Sequence, residues 1–132
     1  MGRYVQSHLS MSRKEAFCRS DRYSRIVEKL DRLIQSSKPA YSSYLADQLG
    51  VSDRTLRSAV LDSTGMSLHR YVRMKRLSTS REKLQHGAAS VKSVALDCGF
   101  WHLSDFAREY RLLFGELPSS TLRCAKSEAA VK

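Results

Sequence analysis

Apolar residues recur at helical spacing along most of the chain, and short clusters of Ser, Gly and Pro interrupt them. Tyr23, Ile26, Val27, Leu30, Leu33 and Ile34 make one stripe, opened by a cap at Ser20 or Asp21 and closed at residues 36–39. Ser42 or Ser43 then caps a short helix carrying Leu45, Ala46 and Leu49, which Gly50 stops. Ser52 caps the next helix, with Asp53 in its first turn, Leu56, Ala59 and Val60 inward, and Gly65 at its end. Ser67 opens a longer helix to about Gln85, whose 18 residues would span ~27 Å at ~1.5 Å per residue. Ser90 caps a helix with Val91, Val94, Ala95 and Cys98 on one face. After a turn at Gly99, a further helix presents Phe106, Tyr110, Leu113 and Phe114 and ends at Gly115. Pro118 sits at the first position of a short last helix containing Leu122.

The pattern predicts an all-α fold of about seven helices and no strands. It contains two helix-turn-helix units, at about residues 42–65 and 90–115, joined by a linker helix at about 67–86. The two units share a register: Ala46, Gly50, Leu56 and Gly65 in the first answer Ala95, Gly99, Phe106 and Gly115 in the second. Gly99 follows Gly50 by 49 positions, and the second unit needs one extra residue in its turn. Residues 1–20 lack sustained periodicity and read as a flexible basic tail, and residues 125–132 read as a frayed C-terminal tail.

Charge changes the picture from a small helical protein to one suited to a polyanion. Lys and Arg number 23 against 13 Asp and Glu, a net charge of +10, and the isoelectric point is near 9.9. Cys18, Cys98 and Cys124 are odd in number, far apart, and without histidines at metal spacing, which suits a reducing cytosol and no metal. Cys98 on an apolar face reads as a small core residue. No run approaches the ~20 apolar residues of a membrane span, and a cytoplasmic protein is expected.

The region from about Ile26 to Arg123 resembles the DNA-binding domain of the AraC/XylS transcription regulators. In the first half the matching residues are Leu45, Ala46, Gly50, Ser52, Leu56, Gly65, Ser67, Tyr71, Arg76 and Leu77. In the second they are Val94, Ala95, Gly99, Phe100, Ser104, Phe106, Arg108, Tyr110, Gly115 and Pro118. The chain departs from the family's usual Arg, Phe and Lys at Ser58, Val60 and Leu61, carries Ser80 in place of Ala, and has Tyr110 and Arg111 for Phe-Lys. The resemblance implies a homeodomain-like pair of units within residues 21–124, with Gly50, Gly65, Gly99 and Gly115 as structural turns. It also implies that Arg54, Arg57 and Ser58 stand at base-reading positions, with His102, Leu103, Asp105 and Arg108 as their counterparts, and that Arg76 is tethered inward.

Chemistry supports those residues without deciding among their uses. Arginine offers a two-pronged donor fork to guanine O6 and N7, but Arg54 and Arg57 equally suit phosphate or solvent. Asp53 reads as a capping carboxylate, and Arg108 as a phosphate contact or a structural partner as readily as a base reader. His102 suits a phosphate, a base edge or open solvent, and Asp105 suits a cytosine amino group although it repels phosphate. Trp101 beside Phe100 is expected to be partly buried beneath the turn. The row Arg70, Arg73, Arg76 and Lys83 on the linker suits phosphate or solvent.

The function expected is a sequence-specific, double-stranded-DNA-binding transcription regulator, and the resemblance implies activation with RNA polymerase as a further partner. No effector pocket or cofactor is expected, and a monomer is. The chain reads as a stand-alone regulator or as a truncated one lacking a sensor domain. The competing expectation is a basic, non-catalytic module that binds RNA or a protein assembly. An enzyme is not expected, since there is no phosphate-binding glycine loop, nucleophile elbow or metal cluster.

Overall fold

The computed structural model describes residues 13–36 and 42–131, and among these the chain forms seven helices and no strand. They are α1 (Arg13–Ser36), α2 (Ser42–Leu49), α3 (Asp53–Thr64), α4 (Leu68–Gln85), α5 (Val91–Asp97), α6 (Leu103–Phe114) and α7 (Pro118–Val131).

The helix starts follow from local chemistry. The hydroxyls of Ser52, Ser67 and Ser90 accept from the backbone N–H of Thr55, Arg70 and Ser93, each satisfying a donor that the first helical turn leaves unpaired. Gly65 and Gly115 end α3 and α6 in matching fashion, with φ of 74° and 75° and an N–H bonded 2.8 Å from the carbonyl oxygens of Leu61 and Arg111. A side chain at either position would be strained by that left-handed backbone.

Two cores lie in sequence along the chain. The first joins Ile26, Leu30 and Ile34 of α1 to Leu45 and Ala46 of α2, Leu56, Ala59 and Val60 of α3, and Leu68 and Tyr71 of α4. The second joins Leu77 and Leu84 of α4 to Val94, Ala95 and Cys98, to Phe100, Phe106 and Tyr110, and to Leu122 of α7. Within it Phe100, Phe106, Tyr110 and Phe114 form a chain of tilted ring contacts with centroids 4.9, 5.7 and 4.7 Å apart.

Several expectations fail where packing overrides local pattern. Ser20 and Asp21 do not cap α1, which begins at Arg13, so residues 13–20 are helical where a tail was expected; residues 1–12 lie outside the described residues. Ser42 opens α2 as its first helical residue, not its cap. The stretch from Ala125 is no frayed tail up to Val131: α7 continues through it, and Leu122 and Ala125 are buried. A hydroxyl pair anchors the first turn of α7. Thr121 donates its one hydroxyl proton to Glu116, so Tyr110 donates to Thr121 Oγ1 at 2.7 Å, tying α6 to α7. Leu113, expected inward, and Trp101, expected to be partly buried, are exposed.

Replacing Phe106, which has no exposed surface, with Ala is expected to cost about 3–5 kcal/mol in urea unfolding. Leu112→Ala, at a residue 80% exposed on the same helix, should change stability by less than about 0.5 kcal/mol. Similar losses for both would contradict the core assignment.

Candidate nucleic-acid interface

The two helix-turn-helix units share the same backbone bonds where each turn begins, and differ at the cap that follows. Val51 N–H reaches the Ala46 carbonyl at 3.1 Å, and Phe100 N–H reaches Ala95 at 2.8 Å; Gly50 and Gly99 bond to Asp47 and Leu96, each at 3.1 Å. Helices α3 and α6 are both 12 residues long. Each therefore presents its N-terminal half after a turn that begins with the same bonding, set on a buried apolar residue, Leu56 or Phe106.

The expected site residues fall on these two helices and the turns before them. On α3, Arg54 and Arg57 are exposed and Ser58 is half-buried. Arg54 has no side-chain partner among the described residues. Arg57 does: its Nε donates to Asp53 at 2.7 Å and its Nη2 to the Ser42 hydroxyl at 3.3 Å. Asp53 thus holds the Arg57 fork, as well as sitting in the first turn of α3. In return the Arg57 hydrogen bond, and then Ser42, hold the Asp53 carboxyl below the ordinary carboxylate range.

On the second unit His102 and Leu103 are exposed, and Asp105 accepts from Arg108 Nη2 at 3.2 Å. His102 occupies the cap position of α6 without making a side-chain cap bond. The repeat register, offset by 50 in these helices, sets Arg54, Arg57 and Ser58 against Ser104, Ala107 and Arg108. It also sets Leu61 against Arg111. Exposed Ser104, the counterpart of Arg54, was left out of the expected set, although the same offset finds it.

The linker's basic row is divided between solvent and structure. Arg70 and Lys83 are exposed. Arg73 is bound to Glu109 of α6 at 2.5 Å and lies over the Phe100 ring. Arg76 is tethered inward, 8% exposed, with Nη1 donating to the Cys98 carbonyl at 3.4 Å; burial lowers its pKa. Arg81 stacks on Phe114 and faces Glu116 at 3.9 Å. Cys98 itself is buried in the second core, which pushes its thiol pKa up. Among the described residues no cluster of His, Cys, Asp or Glu could hold a metal ion, and no helix is long and apolar enough to cross a membrane.

Two outward helices of equal length, each held by a preceding helix and turn and joined by one straight helix, define a tandem helix-turn-helix module. Comparison with known proteins agrees. A family described as a helix-turn-helix domain matches residues 45–123. The XylDLEGF operon transcriptional activator 2 of Pseudomonas putida is 35% identical over 107 residues, covering 79% of this chain and 67% of that protein. The XylDLEGF operon transcriptional activator of the same organism is 42% identical over 89 residues, which is 65% of this chain but 28% of that relative's length. Among solved structures, a probable AraC family transcriptional regulator from Rhodopseudomonas palustris CGA009 matches with a TM-score of 0.65 and 34% identity, covering 76% of this chain and 97% of that one. A regulator with an AraC-type DNA-binding domain from Chromobacterium violaceum matches with a TM-score of 0.66 and 25% identity over 77% of this chain and 89% of its own. The chain belongs to the AraC/XylS family of transcription regulators.

The Arg73–Glu109 pair joins the linker to α6, and both side chains remain partly open to solvent. A double-mutant cycle of Arg73→Ala and Glu109→Ala should return a coupling of about 0.5–1 kcal/mol in urea unfolding. A coupling near zero would mean that the pair does not hold the linker against α6.

Proposed function

We propose that this chain is the sequence-specific DNA-binding part of a transcriptional activator and that it sets α3 and α6 in adjacent major-groove segments of one duplex. The observation that carries the reading is the repeat of the two units, which share the backbone bonds at the start of their turns, each with arginine exposed in the N-terminal half of its second helix. The linker, ~27 Å long, is comparable with the ~34 Å turn of B-DNA that separates such half-sites. The net charge of +10 supplies the attraction to phosphate.

Arg54 and Arg57 read bases in one half-element, with Ser58 beside them. His102, Leu103, Asp105 and Arg108 face the other. Arg57 arrives with its fork already oriented by Asp53, which lowers the cost of ordering a long side chain in the groove. The module works as a monomer in the cytoplasm, without a cofactor or a catalytic step, and RNA polymerase is the partner through which activation is exerted. The printed names of the relatives, activators of an operon, support that role. An RNA-binding role is disfavoured because Phe100, Phe106 and Tyr110 are buried against one another and offer no platform for stacked bases.

Selection of random duplexes against the protein should enrich a motif of two half-elements about one helical turn apart. Its affinity should fall with log salt at a slope near −5, the value for roughly six phosphates at about −0.9 each. Failure to enrich any motif, or preference for single-stranded RNA, would defeat the reading. Arg57→Ala should relax base preference at one position of that motif and weaken binding by about 1–3 kcal/mol. An unchanged preference in the same selection would remove Arg57 from the reading set.

A further inference from the structure

The two units differ at one point. From Ala46 to Val51 and from Ala95 to Phe100 they keep step, and they keep step again from the Leu56 N–H···Ser52 bond and the Phe106 N–H···His102 bond onward, each 3.0 Å. Between those stretches the first unit has no residue, since Ser52 follows Val51 directly, whereas the second has Trp101 between Phe100 and His102. Trp101 is thus the inserted residue. Phe100 takes the inward place in the second core, and the indole is turned outward, 78% exposed, one residue before the cap of α6. Leu103, the first residue of α6, is 42% exposed. Among the described residues Trp101 makes none of the ring or cation contacts that hold the other aromatic side chains of this unit. The core does not need the indole, and an exposed side chain of this size costs solvation unless something covers it.

We infer that Trp101, with Leu103 beside it, recognises thymine through its C5-methyl group in the half-element faced by α6. This rests on the duplex reading proposed above. The C5-methyl is the apolar feature of the major-groove edge, and it separates thymine from cytosine without a hydrogen bond. The sugar–phosphate strands are polar and charged, a poor match for an indole and a leucine side by side. The position also continues the candidate interface, because His102, Asp105 and Arg108 follow directly on the same turn and helix.

The chain's single tryptophan makes the contact directly observable. The full chain is titrated with the duplex motif obtained by selection, and with the same duplex carrying deoxyuridine at every thymidine position, which removes only the methyl groups. Wild-type protein should bind the thymine duplex about 5-fold more tightly, and its tryptophan emission should move to shorter wavelength on binding it. Trp101→Ala should lose about 10-fold on the thymine duplex, or about 1.4 kcal/mol, and should bind the two duplexes nearly equally. Trp101→Phe should keep part of the preference. The inference is overturned if Trp101→Ala discriminates between the duplexes as wild type does, or if wild-type emission is unchanged at saturation. An emission change without any loss on the uracil duplex also overturns it, since the indole would then lie against the sugar–phosphate strand. The wild-type measurement needs no variant, so a misfolded Trp101→Ala leaves the test intact. Specific duplex binding with a silent Trp101 defeats this inference alone, whereas absence of specific duplex binding defeats the proposed function with it.

Discussion

Both cores close against one helix, α4, and the placement of the two outward helices follows from how that helix is gripped. Asp31 of α1 takes the Tyr71 hydroxyl at 2.5 Å and lies 3.6 Å from the Lys75 ammonium. Burial, and then that carboxylate, raise the Tyr71 phenol above its ordinary pKa, so the proton remains on the donor side of the bond. Interleaved with and beyond these, residues of α4 hold the second unit: Arg73 to Glu109, Arg76 to the Cys98 carbonyl, Arg81 to Glu116. Partly exposed ion pairs add little stability singly. Their value here is directional, since they fasten to the linker α1, the end of α5, α6 and the turn before α7.

The same logic of charges used internally governs α3 and α6. Each carries an aspartate within one turn of an arginine, Asp53 with Arg57 and Asp105 with Arg108. An acidic residue close to a nucleic acid weakens attraction to phosphate wherever the protein lands. Paired with arginine, it also fixes the plane of the guanidinium fork. In the proposed complex the arrangement trades uniform attraction for a defined geometry, the property base reading needs and general phosphate binding does not. Arg54, without such a partner, has the greater freedom of the two arginines on α3.

How much of this was legible in the chain depended on whether a feature was local. Ser52, Ser67 and Ser90 as caps and the glycine at each helix end could be read directly, because the hydrogen bonds involved span three or four residues. The alternating inward stripes and the two-unit repeat were legible for the same reason. The exposed Trp101 was not, because hydrophobicity argues for burial and only the register between the two units reveals it as an extra residue with no place in the core. Leu113 fits the helical spacing of the inward stripe on α6, yet it lies outside the second core and borders an open groove with Met74 and Leu77 of α4. At the ends of the described chain the partners are distant in sequence: Tyr110 bonds Thr121 of α7, where Leu122 and Ala125 are buried, and Arg19 of α1 pairs with Asp62 of α3. Of the candidate site, the chain showed which helices to examine. It did not show that Arg57 and Arg108 arrive already engaged with carboxylates.

The cores do not interleave along the chain. The first is assembled from residues no later than Met74, and the second begins at Leu77, so the division falls inside a single helix and not in a loop. During synthesis the earlier half can bury its apolar face once the middle of α4 has left the ribosome, before the later half has emerged. The emerging end of α4 is then a preformed template, and α5, α6 and α7 close onto it in the order in which they appear.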